Sequence, residues 1–231
     1  MRKTLALSIA IVLSAVLMTP AVQGQGQAPA AGTQKPAQPM SFFITSTPMG
    51  DGGNLGGLAG ADAYCTKLAT AAGAGNRTWR AYLSTAQAGA TPAVNARDRI
   101  GTGPWYNAKG ELIAANVQDL HGDIQRDRNN IRKPNALNEK GGMVNGVGDM
   151  PNQHDILTGS DSTGRAVIGA AAVTTCGNWT SNAMGNAIVG HHDRLGGGNA
   201  SWNAAHSTAG CSQEAFVKTG GAGLLYCFAE K

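Results

Sequence analysis

The chain carries little charge and few aromatic rings. Asp, Glu, Lys and Arg make up 14% of its 231 residues and aromatics only 5%. The formal net charge is +4, and it falls to +2 once Arg2 and Lys3 at the start are set aside. A balance that small argues against a dedicated nucleic-acid binder, which would present a basic face. There is no Gly-x-Ser-x-Gly elbow for a serine hydrolase and no Cys-x-x-Cys pair for zinc or redox work. The glycine-rich stretch Asp51–Gly57 lacks the Gly-Lys-Ser/Thr ending of a phosphate loop and reads as a turn. Beyond residue 24 no apolar run is long enough to span a bilayer. These absences leave no catalytic residue to assign.

Glycine, by contrast, is abundant, with 33 residues. So much of it beside so little charge implies long irregular loops on a small scaffold. Residues 1–24 read as a secretory signal: a basic start, an apolar stretch from Leu5 to Met18, and small residues around Gly24. Residues 25–40, rich in Gln, Ala and Pro, read as a flexible linker. Residues 41–231 are then one domain by size. Export would place it where disulfides persist, secreted to the periplasm or the extracellular space.

Within that domain, Ser41–Ser46 is a β-type run ended by Pro48. Leu58, Ala61, Cys65, Leu68 and Ala72 fall three and four apart, which predicts a helix over 58–72 stopped by Gly73 and Gly75. Thr78–Ser84 alternates as a strand, with Trp79, Ala81 and Leu83 on one face. Short extended pieces are expected around the Lys109-Gly110 turn. Ala215-Phe216-Val217 and Leu224–Phe228 read as a closing hairpin. Residues 115–155 and 182–210 are polar and rich in Asn and Gly; loops so long inside a compact domain imply a function.

Four cysteines allow three pairings. The nested one, Cys65–Cys227 outside Cys176–Cys211, is the expected pairing, because it would tie the first helix to the last strand. Closing such long loops contributes about 3–5 kcal/mol each in the chain-entropy account.

The two long loops hold all five histidines. His191-His192-Asp193 could ligate a metal with His206 or His154. Adjacent residues seldom both point into one site, so no metal is assigned and no cofactor is expected. Arg126, Arg128, Arg132 and Lys133 form the densest basic cluster, a patch suited to an acidic partner. Trp179 is expected in the core beside the inner disulfide, and Trp202 at the surface.

Several stretches together resemble the endostatin domain of the basement-membrane collagens, within the C-type lectin-like fold. Gly56-Gly57-Leu58-Ala59-Gly60-Ala61-Asp62 with Cys65 resembles G-x-R-G-I-R-G-A-D-x-x-C. Thr78-Trp79-Arg80-Ala81-Tyr82-Leu83-Ser84 resembles T-F-R-A-F-L-S. Gly159-Ser160-Asp161-Ser162-Thr163-Gly164-Arg165 resembles G-S-D-x-x-G-R, and Cys176-Gly177-Asn178-Trp179 resembles C-E-T-W. The resemblance covers most of residues 42–228. It implies an α+β fold with a mixed antiparallel sheet, one or two helices and the same nested disulfides.

Departures limit what the resemblance implies. Leu55, Leu58 and Ala59 stand where endostatin has heparin-binding arginines. No histidine precedes His121, so endostatin's zinc site, built on N-terminal histidines, has no counterpart. Met150-Pro151-Asn152 and Trp202-Asn203-Ala204 follow the order of the calcium motifs of sugar-binding C-type lectins but lack their carboxylates, and calcium needs several oxygen ligands. The expected protein is a secreted, non-enzymatic module that binds an extracellular protein or glycan through Arg126, Arg128, Arg132, Lys133 and Trp202. The alternative is a secreted metal-dependent hydrolase using the His191–His206 loop.

Overall fold

The computed structural model describes residues 38–122, 129–168, 171–195 and 199–230. The expected signal, most of the linker, and Arg126 and Arg128 lie outside the described residues. The fold is α+β and is organised around its last strand, β8 (Gly221–Ala229), all nine residues of which are buried. Strand geometry sends alternate side chains to opposite faces. Ala222, Leu224, Tyr226 and Phe228 enter one apolar cluster, whereas Leu225, Cys227 and Ala229 enter the other.

Both edges of β8 are used. On one, β1 (Phe42–Ile44) pairs antiparallel with it, and the Ala229 and Thr45 N–H groups donate to Ser41 O and Leu225 O, each at 2.9 Å. On the other, β2 (Trp79–Ala81) pairs with the end of β8, and Tyr82 N–H donates to Tyr226 O at 2.9 Å. Along the start of β8 runs β5 (Asp155–Leu157), in parallel. From β5 the sheet continues antiparallel through β6 (Ile188–His191) to β7 (His206–Ser207). A separate hairpin, β3 (Trp105–Tyr106) with β4 (Leu112–Ala114), turns at the expected Lys109-Gly110.

The predicted first helix is α1 (Gly57–Ala71), with Ala61, Cys65 and Ala69 buried. Cys65 bonds Cys227 of β8, and Cys176 bonds Cys211, so the nested pairing holds. Asp62 fastens the same helix to β2. Its carboxylate accepts from Ala81 N–H at 2.9 Å and from Arg99 Nη2 at 2.6 Å, and it pairs with Arg80 at 3.1 Å. Further along lie two short helices, α2 (Val117–His121) and α3 (Ala171–Thr174).

Cys176–Trp179 forms a single left-handed turn, with φ of 48°, 67°, 57° and 66°. For non-glycine residues this conformation costs roughly 1–2 kcal/mol each. The turn is held by the inner disulfide, by Trp179 Nε1–H donating to Ser84 O at 2.8 Å, and by the Asn178 amide bonded to both backbone groups of Ala86. Trp179 is fully buried there, as expected from its place beside Cys176.

Two expectations need correction. Ala215-Phe216-Val217 is not a strand but part of helix α4 (Gln213–Thr219). Ser212 caps it by accepting from Ala215 N–H, Glu214 lies in its first turn and Lys218 in its last. A cap and charges matched to the helix dipole outweigh the β preference of three residues. Trp202 is not at the surface: it is 3% exposed. Its ring packs 4.8 Å from Tyr82 and 5.4 Å from Tyr226, and its Nε1–H donates to Leu120 O. A Cβ at Gly190 would lie 1.8 Å from Trp202 O, so β6 needs glycine there to let this backbone approach. Tryptophan among polar residues reads as exposed; tertiary packing places it inside.

His121 also belongs to this core. Its Nδ1–H donates to Val117 O and its Nε2 accepts from the Tyr82 hydroxyl, both at 2.7 Å. Tyr82 in turn accepts from Asn203 Nδ2 at 3.0 Å. Burial lowers the His121 pKa from 6.5 to about 4; Arg97 adds to the shift, while the Val117 bond, Asp161 and Asp98 oppose it.

Two outcomes follow from this packing. Trp202→Ala destabilises the fold by about 3–5 kcal/mol, the usual cost of emptying such a site; urea denaturation measures it, and a loss under 1 kcal/mol would place Trp202 outside the core. For His121 the folded-state pKa lies below the unfolded one. Its contribution is therefore full above about pH 6.5, and about 3 kcal/mol is lost as pH falls to about 4. Urea midpoints across that window should fall less steeply in His121→Gln than in the parent chain, and equal slopes would refute the assignment.

Candidate functional site

The candidate ligand-binding residues are dispersed. Arg132 is exposed and lines a hollow of about 410 Å³ with Leu112, Asp119, Asn129, Asn130, Asn135 and Leu195. Lys133 is tied to Asp149 by an ion pair. Trp202 is in the core, as described. The hollow's walls are fixed by side chain–backbone bonds: Asn130 Nδ2–H donates to Asp119 O at 3.1 Å, Asn135 Nδ2–H to Asn130 O at 2.8 Å, and Asn129 Nδ2–H to Arg194 O at 3.1 Å. Asn203, in the stretch compared with a lectin calcium motif, spends its amide inside on Tyr82 and Asp161 O, while Met150 is 90% exposed.

The histidines divide into two groups. His121 stays with Tyr82; the other four gather at the end of β5–β6–β7. Cross-strand register explains why. Asp155 of β5 lies directly opposite His191 of β6, and His206 of β7 lies opposite Val189, two residues before His191. All three side chains therefore share one face of the sheet. His154, the residue before β5, brings its Nε2 to the same carboxylate.

The donor atoms come close together. Asp155 Oδ1 lies 3.1 Å from His154 Nε2, 3.1 Å from His191 Nε2 and 3.5 Å from His206 Nε2. His191 Nε2 and His206 Nε2 are 2.9 Å apart, and the His154 and His191 rings stack at 4.1 Å. The side chains of His154, Asp155 and His191 are at most 8% exposed, and that of His206 is 29% exposed. Among the described residues, no hydrogen-bond partner is found for either Asp155 oxygen.

The far ring nitrogens each face an oxygen. His191 Nδ1–H donates to Asn199 O at 2.5 Å and His206 Nδ1–H to Ser207 O at 3.1 Å. His154 Nδ1 lies 3.4 Å from Asp193 Oδ1. Burial raises the Asp193 pKa, but the His154 contact and the Val147 N–H bond outweigh it and hold the carboxyl well below the usual range. His192 turns away from the cluster, its Nε2–H donating to Asn145 O at 3.1 Å, and burial lowers its pKa. Among the described residues, His154, Asp155 and His191 bring donor atoms within 4.8 Å of one another and are the group able to hold a metal ion; His206 stands outside it.

The sequence reading weighed His191-His192-Asp193 with His206 or His154, and expected adjacent residues to diverge. His191, the last residue of β6, and His192, in the turn after it, do diverge. His154 and Asp155 converge, and Asp155 was missed. The signal available for it was a second His-Asp pair, matching His192-Asp193, at the mouth of an apolar run. No protein-family model matches the chain, and no curated protein matches it either.

Proposed function

We propose that the protein is a secreted, non-enzymatic binding module of C-type lectin-like, endostatin-related architecture that takes an extracellular protein or glycan on its loop face. The observation that carries this reading is the polar hollow beside Arg132, set between loops that a disulfide-closed scaffold holds in place. Loops on a rigid frame are where binding residues concentrate. Amides, a carboxylate and a guanidinium beside half-exposed Leu112 and Leu195 suit the hydroxyls and apolar faces of a sugar, so a glycan is the better fit of the two.

Pairing of the first and last strands and the nested disulfides support the architecture. Disulfides also support export, and among the described residues no helix is long and apolar enough to cross a membrane. The hydrolase alternative needs an open coordination position at the histidine cluster. No side chain in the group His154, Asp155 and His191 is more than 8% exposed, which weighs against that reading.

A glycan array, followed by kinetic measurements on any glycan retained, tests the proposal. Arg132→Glu should abolish retention without moving the thermal midpoint. Lys133→Ala should mainly slow association and reduce its salt dependence. Unchanged retention by Arg132→Glu would move the site elsewhere. Hydrolysis of an ester or peptide by the metal-loaded chain, lost in His206→Ala, would favour the enzyme.

A further inference from the structure

We propose that His154, Asp155 and His191 form a three-donor zinc site whose fourth position opens toward His206 and is held by an exchangeable water or small anion. The inference stands apart from the glycan reading, because it concerns an ion between the loop bases rather than a ligand on the loop face.

Counting protons points to a cation. Donor atoms of the three side chains lie within 4.8 Å of one another, and Asp155 Oδ1 is 3.1 Å from Nε2 of each ring. Each ring also meets an acceptor at its other nitrogen: Asn199 O at 2.5 Å from His191 Nδ1, and Asp193 Oδ1 at 3.4 Å from His154 Nδ1. A neutral imidazole has one proton for two nitrogens. With that proton on Nδ1, both Nε2 lone pairs face the Asp155 carboxylate, for which no hydrogen-bond partner is found among the described residues. Electron-rich atoms so placed, on side chains at most 8% exposed, need a positive charge among them. A single imidazolium would leave the other Nε2 facing the carboxylate as a lone pair. Two imidazolium rings would satisfy both contacts, but the rings stack at 4.1 Å with 16° between their planes, which would bury two like charges face to face. One ion bound to both Nε2 atoms and to Asp155 meets the need without that repulsion.

The donor set selects the ion. Calcium and magnesium take oxygen ligands. Two imidazoles and one carboxylate, with a fourth position for water, are a set that zinc takes up. The 3.1 Å separations from Asp155 Oδ1 lie near the roughly 3.3 Å that bonds of about 2.0–2.1 Å set in a tetrahedron. Iron(II) favours the same three donors, but it would be oxidised in the export compartment, whereas zinc has no redox chemistry. Asp193 and Asn199 O supply outer partners that orient the two ligating rings. A Cβ at Gly220 would sit 3.0 Å from His154 Nε2, so glycine there keeps this donor clear. His206 stands outside the donor group. Its Nε2 is 2.9 Å from His191 Nε2 and 3.5 Å from Asp155 Oδ1, and its side chain is 29% exposed, so it flanks the approach from solvent. The fourth position therefore takes water or a small anion beside an imidazole, while the buried donors keep out a polypeptide. His154 and Asp155 end one long loop and His191 lies in the other, so the ion sits between the two.

The test uses the full chain with Zn²⁺ and Co²⁺ as probes. Calorimetric titration should give one zinc per chain. Bound Co²⁺ should show the intense visible bands of four-coordinate geometry, and azide should shift them by entering the fourth position. Asp155→Asn keeps the shape of the side chain and should abolish both signals with the near-ultraviolet circular dichroism unchanged. Should that variant unfold, Asp193→Asn, which leaves the donors in place, should weaken zinc about 10–100-fold. His206→Ala should still bind one zinc. A folded parent chain that takes up no zinc would overturn the proposal and leave the rings balanced by protons. Equal binding by the parent chain and Asp155→Asn would also overturn it. Cobalt bands unmoved by azide would refute the open position, and loss of zinc in a folded His206→Ala would refute the three-donor set. None of these results bears on glycan retention, so the two proposals fail separately.

Discussion

Every layer of this molecule depends on β8 being buried along its full length. A strand with apolar side chains on both faces needs cover on both, and the chain supplies two clusters, one on each face. One contains Phe42, Tyr82, Trp105 and Trp202; the other contains α1, Trp79, Trp179 and both disulfides. Because both edges of β8 also need partners, β1 occupies one and β2 and β5 share the other. Buried backbone N–H and C=O groups must be paired, so the last nine residues of the sheet dictate where segments from residues 42, 79 and 155 must lie.

The rest of the chain is irregular, and its stability comes from local devices rather than ladders. Asp62 joins α1 to two arginines and a backbone amide. Glu139, 4% exposed, takes the backbone N–H and hydroxyl of Ser46. The left-handed turn at Cys176–Trp179 exchanges backbone strain for the burial of a tryptophan and a bond to Ser84. Each is a polar or conformational cost offset by a specific partner, which is how glycine-rich loops acquire a fixed shape without regular structure.

What could be read from the residues follows the same division. Leu58 to Ala72 and Leu224 to Phe228 are periodic, and their elements were legible. Phe216 was misread because three residues cannot establish a period, whereas the Ser212 cap and Glu214 could have been weighed. Trp202 was misread because its neighbours in sequence are polar while its neighbours in space are Tyr82, Tyr226 and His121. The loop histidines were legible as a group. Their geometry was not, since it depends on the register of β5 with β6 and of β6 with β7. Neither leaves a mark in composition.

That register links the core to the histidine cluster. Leu157 and Val189 lie one pleat further into the same face as Asp155 and His191, within the apolar cluster that holds the disulfides. The sheet face thus runs from apolar to polar within two residues on each strand, and the polar end is nearly as buried as the apolar one. Apolar packing explains Leu157 and Val189. It does not explain Asp155, a buried carboxylate beside the imidazoles of His154 and His191. One continuous face thus serves as core at one end and as a buried polar junction beside both long loops at the other. The loops would then need no apolar residues of their own to stay in place, which fits their polar, glycine-rich sequence and leaves their outer surface free for a ligand.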